Sequence, residues 1–154
     1  MYALRAARCF DGEATVAGGV TVLVDAGRIA GVEPGHPEIG ADWQVLDYPG
    51  ATIMPGLADA HVHLGGDSAD GALDRLADYP DDRLVAGGLP ASKALASATS
   101  VAAGACGFGD RKGRVRPGFD ADLLVVAGDP AADIGMLAQV KSVMVQGSMV
   151  SGPG

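Results

Sequence analysis

Apolar residues at helical spacing fill only one long stretch of this chain, Pro90 to Cys106, and glycine and proline cut the sequence on both sides into strand-length pieces. Pro90 suits a first helical position. Ala91, Ala94, Leu95, Ala98, Val101, Ala102 and Ala105 then share one face, and the glycines from Gly104 to Gly109 end the run. A face so narrow and so rich in alanine is suited to close packing on a sheet. On its N-terminal side, Tyr2 to Met54 reads as short strands. The clearest are Val20 to Val24 and Ile29 to Val32, joined through Asp25-Ala26-Gly27-Arg28, where Gly27 can take the left-handed conformation of a tight hairpin. A second pair, Gln44 to Tyr48 and Ala51 to Met54, is expected to turn at Pro49-Gly50. On the C-terminal side, strands are expected at Ala121 to Ala127, Val140 to Gln146 and Met149-Val150, with a turn and short helix from Asp129-Pro130 to Ala138. Between Asp67 and Gly88 the sequence is polar and acidic and reads as a loop with one or two helical turns. The fold class is therefore mainly β with one or two helices.

With seven aromatic residues among 154, the core must be built from Val, Leu, Ile, Met and Ala. The length fits one domain. A net charge of −8, from 11 basic and 19 acidic residues, would repel phosphates, and the only basic cluster, Arg111, Lys112, Arg114 and Arg116, is short. Nucleic acid is excluded as a partner on this ground. The N-terminus places Arg5, Arg8 and Asp11 where a signal peptide needs an apolar centre, and no apolar run reaches the ~20 residues of a membrane span. Cys9 and Cys106 form neither a disulfide framework nor a CxxC pair; they read as small buried hydrophobes in a cytoplasmic protein.

Chemistry concentrates in Pro55-Gly56-Leu57-Ala58-Asp59-Ala60-His61-Val62-His63-Leu64. In a strand, residues i and i+2 project from one face, so His61 and His63 could share a metal while Val62 packs behind them, and Asp59 lies on the same face. Imidazole suits Zn²⁺ and its first-row neighbours, and a carboxylate could ligate or orient a ring. Asp67 and Asp70 are further acidic candidates. His36, in a Pro-Gly-His-Pro loop, reads as a solvated side chain. An HxH pair alone is a weak signal and reads first as ordinary polar strand residues, because ligand count and geometry decide a metal site.

The run from Ile53 to Leu64, with its Met-Pro-Gly-Leu opening and Asp-x-His-x-His core, resembles the first-strand metal motif of the amidohydrolase superfamily. Gly87-Gly88-Leu89-Pro90 with Lys93 to Thr99 is similar to that family's last barrel helix. Gly113 to Leu123, with Val143-Met144-Val145-Gln146-Gly147, is similar to its C-terminal return to a sheet domain. The resemblance covers nearly the whole chain. It implies a composite two-layer β-sandwich built from N-terminal strands (1–56) and C-terminal strands (113–150), with an HxH strand (57–64), an acidic bridge (65–90) and a helix (91–106) between them. It also implies that no complete barrel is present, since 20 residues separate His63 from Leu84, whereas a (β/α)₈ barrel needs about 250.

From the resemblance follow His61 and His63 as metal ligands with Asp67 as a third, Asp59 as a proton-moving catalytic carboxylate, and a divalent metal, zinc first, as cofactor. The implied reaction is hydrolysis of a C–N bond in a small amide, cyclic imide or aminated heterocycle by metal-activated water. The alternative is a non-catalytic sandwich that serves as a structural or partner-binding protein. In either case a homodimer or a partner subunit is expected to cover the barrel-facing surface.

Overall fold

A computed structural model describes residues 1–58 and 88–152. Seven strands, β1 (Tyr2–Phe10), β2 (Thr15–Asp25), β3 (Arg28–Pro34), β4 (Gln44–Pro55), β5 (Leu123–Val126), β6 (Val140–Val145) and β7 (Ser148–Ser151), form one sheet in the order β3-β2-β1-β4-β5-β6-β7. The β1–β4 pair is parallel and every other pair is antiparallel. N-terminal and C-terminal parts of the sequence meet where β4 pairs with β5.

Both end hairpins turn through two residues with positive φ, Ala26-Gly27 between β2 and β3 and Gln146-Gly147 between β6 and β7. That geometry matches the right-handed twist of the flanking strands. The two tips touch, because a Cβ on Gly147 would stand 2.7 Å from the Gly27 Cα. The segment before β5 ties both tips together: Ile29 N–H donates to Phe119 O, Ala121 N–H to Gly27 O, and Gly147 N–H to Ala121 O. The sheet therefore folds over on itself, and the two layers of the composite sandwich are two halves of one continuous sheet.

Alternation along the central strands makes two cores. Leu4, Cys9, Val22, Ile53, Leu123 and Val125 point into the larger one, between the halves. Phe10, Met54, Leu124 and Val126 point the other way, onto Leu95 and Ala96 of the helix. Strand β5 is thus buried on both faces, which is why Leu123-Leu124-Val125-Val126 is an unbroken apolar run. The helix begins as α1 (Ala91–Ala96), continues through a π-helical turn (Ser97–Val101) and ends as α2 (Ala102–Ala105). A 3₁₀ turn, Ile134–Ala138, is capped by the Asp133 carboxylate, which accepts from Gly135 N–H.

Two expectations are corrected. Gln44 to Tyr48 and Ala51 to Met54 do not form a hairpin at Pro49-Gly50; they are successive parts of β4, and both run parallel to β1. The register passes from Ala6↔Tyr48 to Arg8↔Thr52, so Pro49, Gly50 and Ala51 lie opposite Ala7 alone as a bulge. Arg8 donates to the Gly50 carbonyl there at 3.1 Å. Cys106 is not buried: it follows the end of α2 and is exposed, while Cys9 lies in the large core. Burial, together with the nearby Asp11 charge, pushes the Cys9 thiol up to about 12. Titration with a thiol reagent at pH 8 should therefore consume one thiol per native chain, at Cys106, and both after denaturation. Rapid reaction of both in the native protein would contradict this packing.

Candidate functional site

Strand β4 delivers the chain to the region of interest through two backbone hydrogen bonds. Gly56 N–H donates to Asp122 O at 2.9 Å, and Ala58 N–H donates to Ala98 O of the helix at 2.8 Å. The residues singled out for chemistry follow at once. Asp59, His61, His63, Asp67 and Asp70 lie outside the described residues. His36 is exposed, and its Nε2 lies 3.2 Å from the carbonyl of Ala6, next to Ala7 where the register of β1 with β4 shifts. Among the described residues no three His, Cys, Asp or Glu side chains gather closely enough to hold a metal, and no helix is long and apolar enough to cross a membrane.

Beside the exit of β4 is a cavity of about 470 Å³, within the usual range for small-molecule sites. Gly56, Leu57, Leu124, Leu137, Val143 and Val145 supply an apolar wall, and Lys112 and Asp122 supply its polar edge. Lys112 is held between two carboxylates, Asp122 and Asp120, the latter at 3.1 Å. Asp122 also accepts from Gln146 N–H at 2.7 Å, and Asp120 is 3.4 Å from the Arg28 guanidinium. This network ties the loop after the helix to both hairpin tips. By sequence Lys112 belongs to a short basic cluster; the signal for its ion pairs is the alternation Asp120-x-Asp122, which puts two carboxylates on one side of an extended segment.

Hydrogen bonding to Asp122, then to Asp120, holds the Lys112 ammonium above the ordinary lysine range against the opposing effect of burial. A lysine whose pKa is raised by folding contributes stability that is complete below its unfolded value, near 10.4, and is lost as pH rises through the folded value. With Lys112 about a quarter exposed, Lys112→Met should cost about 1–2 kcal/mol at pH 7. The difference from the parent should shrink above about pH 10.5 in chemical unfolding. A difference that grows with alkalinity would contradict the assignment.

A family model of the amidohydrolase family matches residues 81–150. The match spans the helix and the C-terminal strands and is a likeness of that part of the chain. Two solved structures share the fold of the chain as a whole. A crystal structure of a Xaa-Pro dipeptidase with methionine bound in its active site superposes with a TM-score of 0.76 at 11% identity, over 98% of this chain and 100% of that one. A second, described as a prolidase of Bifidobacterium longum, gives 0.78 at 13% identity, over 99% and 95% of the two chains. At such identities the likeness is one of fold. An amidohydrolase crystal structure is 34% identical over 47% of this chain and 19% of its own, with a TM-score of 0.44. Among curated proteins none matches the sequence. The matched segment includes the helix, β5 and β6, and so supplies Ala98 and Asp122, whose carbonyls hold Ala58 and Gly56.

Proposed function

We propose that the protein is a metal-dependent hydrolase of the amidohydrolase type that cleaves a C–N bond in a small amide, cyclic imide or aminated heterocycle. One observation carries this reading. The chain leaving β4 passes the wall of an apolar cavity at Gly56, Leu57 and Ala58, the residues that precede the Asp-x-His-x-His run in sequence, and carbonyls of the segment matched by the amidohydrolase family model accept from Gly56 and Ala58 there. Two imidazoles and a carboxylate are a donor set that suits zinc, with His61 and His63 as ligands and Asp67 as a third. Such an ion, when bound, supplies Lewis acidity and makes water a nucleophile near neutral pH. Asp59 would carry the proton to the leaving nitrogen, and the cavity would receive the apolar part of the substrate. The exposed free thiol of Cys106 supports a reducing, cytoplasmic setting.

The test is amine release from a panel of amides and cyclic imides by zinc-loaded protein, compared with the double variant His61→Asn, His63→Asn. Activity should fall by about 10³-fold or more in the variant, whose melting temperature without metal should match the parent. Equal rates in the two proteins would remove the assignment.

A second reading, a non-catalytic sandwich covered by a partner subunit or a second copy, is favoured by the apolar side chains left in solvent around the cavity. Leu57, Val140 and Val145 are each about half exposed. A dimeric mass in solution without metal or amidase activity would favour this reading.

A further inference from the structure

We infer that the π-helical turn Ser97–Val101 is a positioning device: it leaves the Ala98 carbonyl outside the helix's own hydrogen bonding so that it fixes the backbone of Ala58, where the chain leaves β4. In an uninterrupted α-helix the Ala102 N–H would donate to the Ala98 carbonyl, four residues back. Here it is directed to Ser97 O, five residues back, and to Thr99 O, three residues back, and passes over Ala98 O. The skipped carbonyl accepts from Ala58 N–H at 2.8 Å instead.

Local chemistry favours the departure from α geometry. Ser97 Oγ donates to Lys93 O at 2.9 Å and Thr99 Oγ1 to Leu95 O at 2.7 Å, and such back-bonds disturb the preceding helical turn. Ser100 Oγ donates to Gly12 O at 2.6 Å, just beyond β1. The turn is therefore tied to the exits of both central strands. In α register, Ala98 O would already accept from Ala102 N–H, and Ala58 N–H would have to share that acceptor instead of holding it alone. The consequence for function rests on the metal reading above, because the proposed donors follow Ala58 in sequence; the hydrogen bond itself does not.

The experiment is native-state amide exchange at Ala58 in the full chain, with zinc titration of the parent, Ala58→Pro (no N–H) and Ala58→Gly (N–H kept). The Ala58 amide should exchange at least about 100-fold more slowly than an unprotected amide. Zinc affinity should fall about 10- to 100-fold in Ala58→Pro, and by no more than about fivefold in Ala58→Gly. An unprotected Ala58 amide overturns the proposal, and so does a proline variant that binds zinc like the parent. If the parent takes up no zinc, the metal reading fails, and exchange at Ala58 decides the clamp by itself. The same exchange measurement decides it if the proline variant does not fold.

Discussion

Replacing Gly113 by alanine should destabilise the protein by roughly 2–5 kcal/mol, the sum of a left-handed backbone penalty of about 1–2 and an overpacking cost of about 1–3. Gly113 has φ +81°, and a Cβ there would lie 2.7 Å from both the Thr99 carbonyl oxygen and the Ala103 Cβ, and 2.9 Å from the Ser100 Cα. Two of those atoms are backbone of the helix and cannot swing away. Gly118 supplies an internal control, since its φ is +89° but a Cβ would meet nothing within 4 Å. Gly118→Ala should therefore show only the backbone penalty of about 1–2 kcal/mol. Urea unfolding of the two variants separates conformation from contact. Equal losses would mean that the close approach of this loop to the helix is not maintained in solution.

Phe10→Ala should cost about 3–5 kcal/mol, a large share of the 5–15 kcal/mol that typically holds a domain together. Phe10 is fully buried where β1, β4, β5 and the helix converge, against Met54, Leu95, Leu124 and Val126. No single neighbour can fill the space left by a ring packed among side chains of three other elements. A chain of this size should lose about 2–4 °C of melting temperature per kcal/mol, or roughly 6–20 °C in all. Val150→Ala, at a position 68% exposed, should change stability by less than about 0.5 kcal/mol. A Phe10→Ala variant as stable as Val150→Ala would show that the helix does not close over this face of the sheet.

Much of the sheet was legible in the sequence because its signals are local. Gly27 marked the first hairpin, and the helix could be followed by apolar spacing from Ala91 to Ala105. Pro49-Gly50 misled because a bulge and a hairpin turn ask for the same residues: Gly50 has φ +74° between two runs of strand formers. What distinguishes them is the partner of each half, and that is set by β1, some 40 residues away, through Arg8. The π turn was not legible either. Apolar spacing reports which face is buried and is insensitive to a carbonyl skipped by one residue; Ser97 and Thr99 were the only local hints. Cys106 was misjudged because residue type predicts burial on average, whereas its place just after a helix end, followed by Gly107, puts it in solvent.

The candidate site divides along the same line. The Asp-x-His-x-His run stands out in the sequence by residue type together with its resemblance to a known metal motif, since HxH spacing alone does not separate ligands from ordinary polar strand residues. The parts that position the run's entry are backbone atoms, Ala98 O and Asp122 O, and a backbone acceptor carries no signature in its own side chain. Asp122 performs a double task, presenting its carbonyl to Gly56 and its carboxylate to Lys112 and Gln146.

The central claim is that the segment following β4 binds a catalytic metal, and elemental analysis of untagged protein, paired with its mass in solution, tests it most directly. The expected result is about one zinc-type ion per chain, or one per dimer, absent from the His61→Asn, His63→Asn variant at unchanged fold. A well-folded parent that contains no metal and takes none from solution, or a double variant that keeps its full complement, would contradict it.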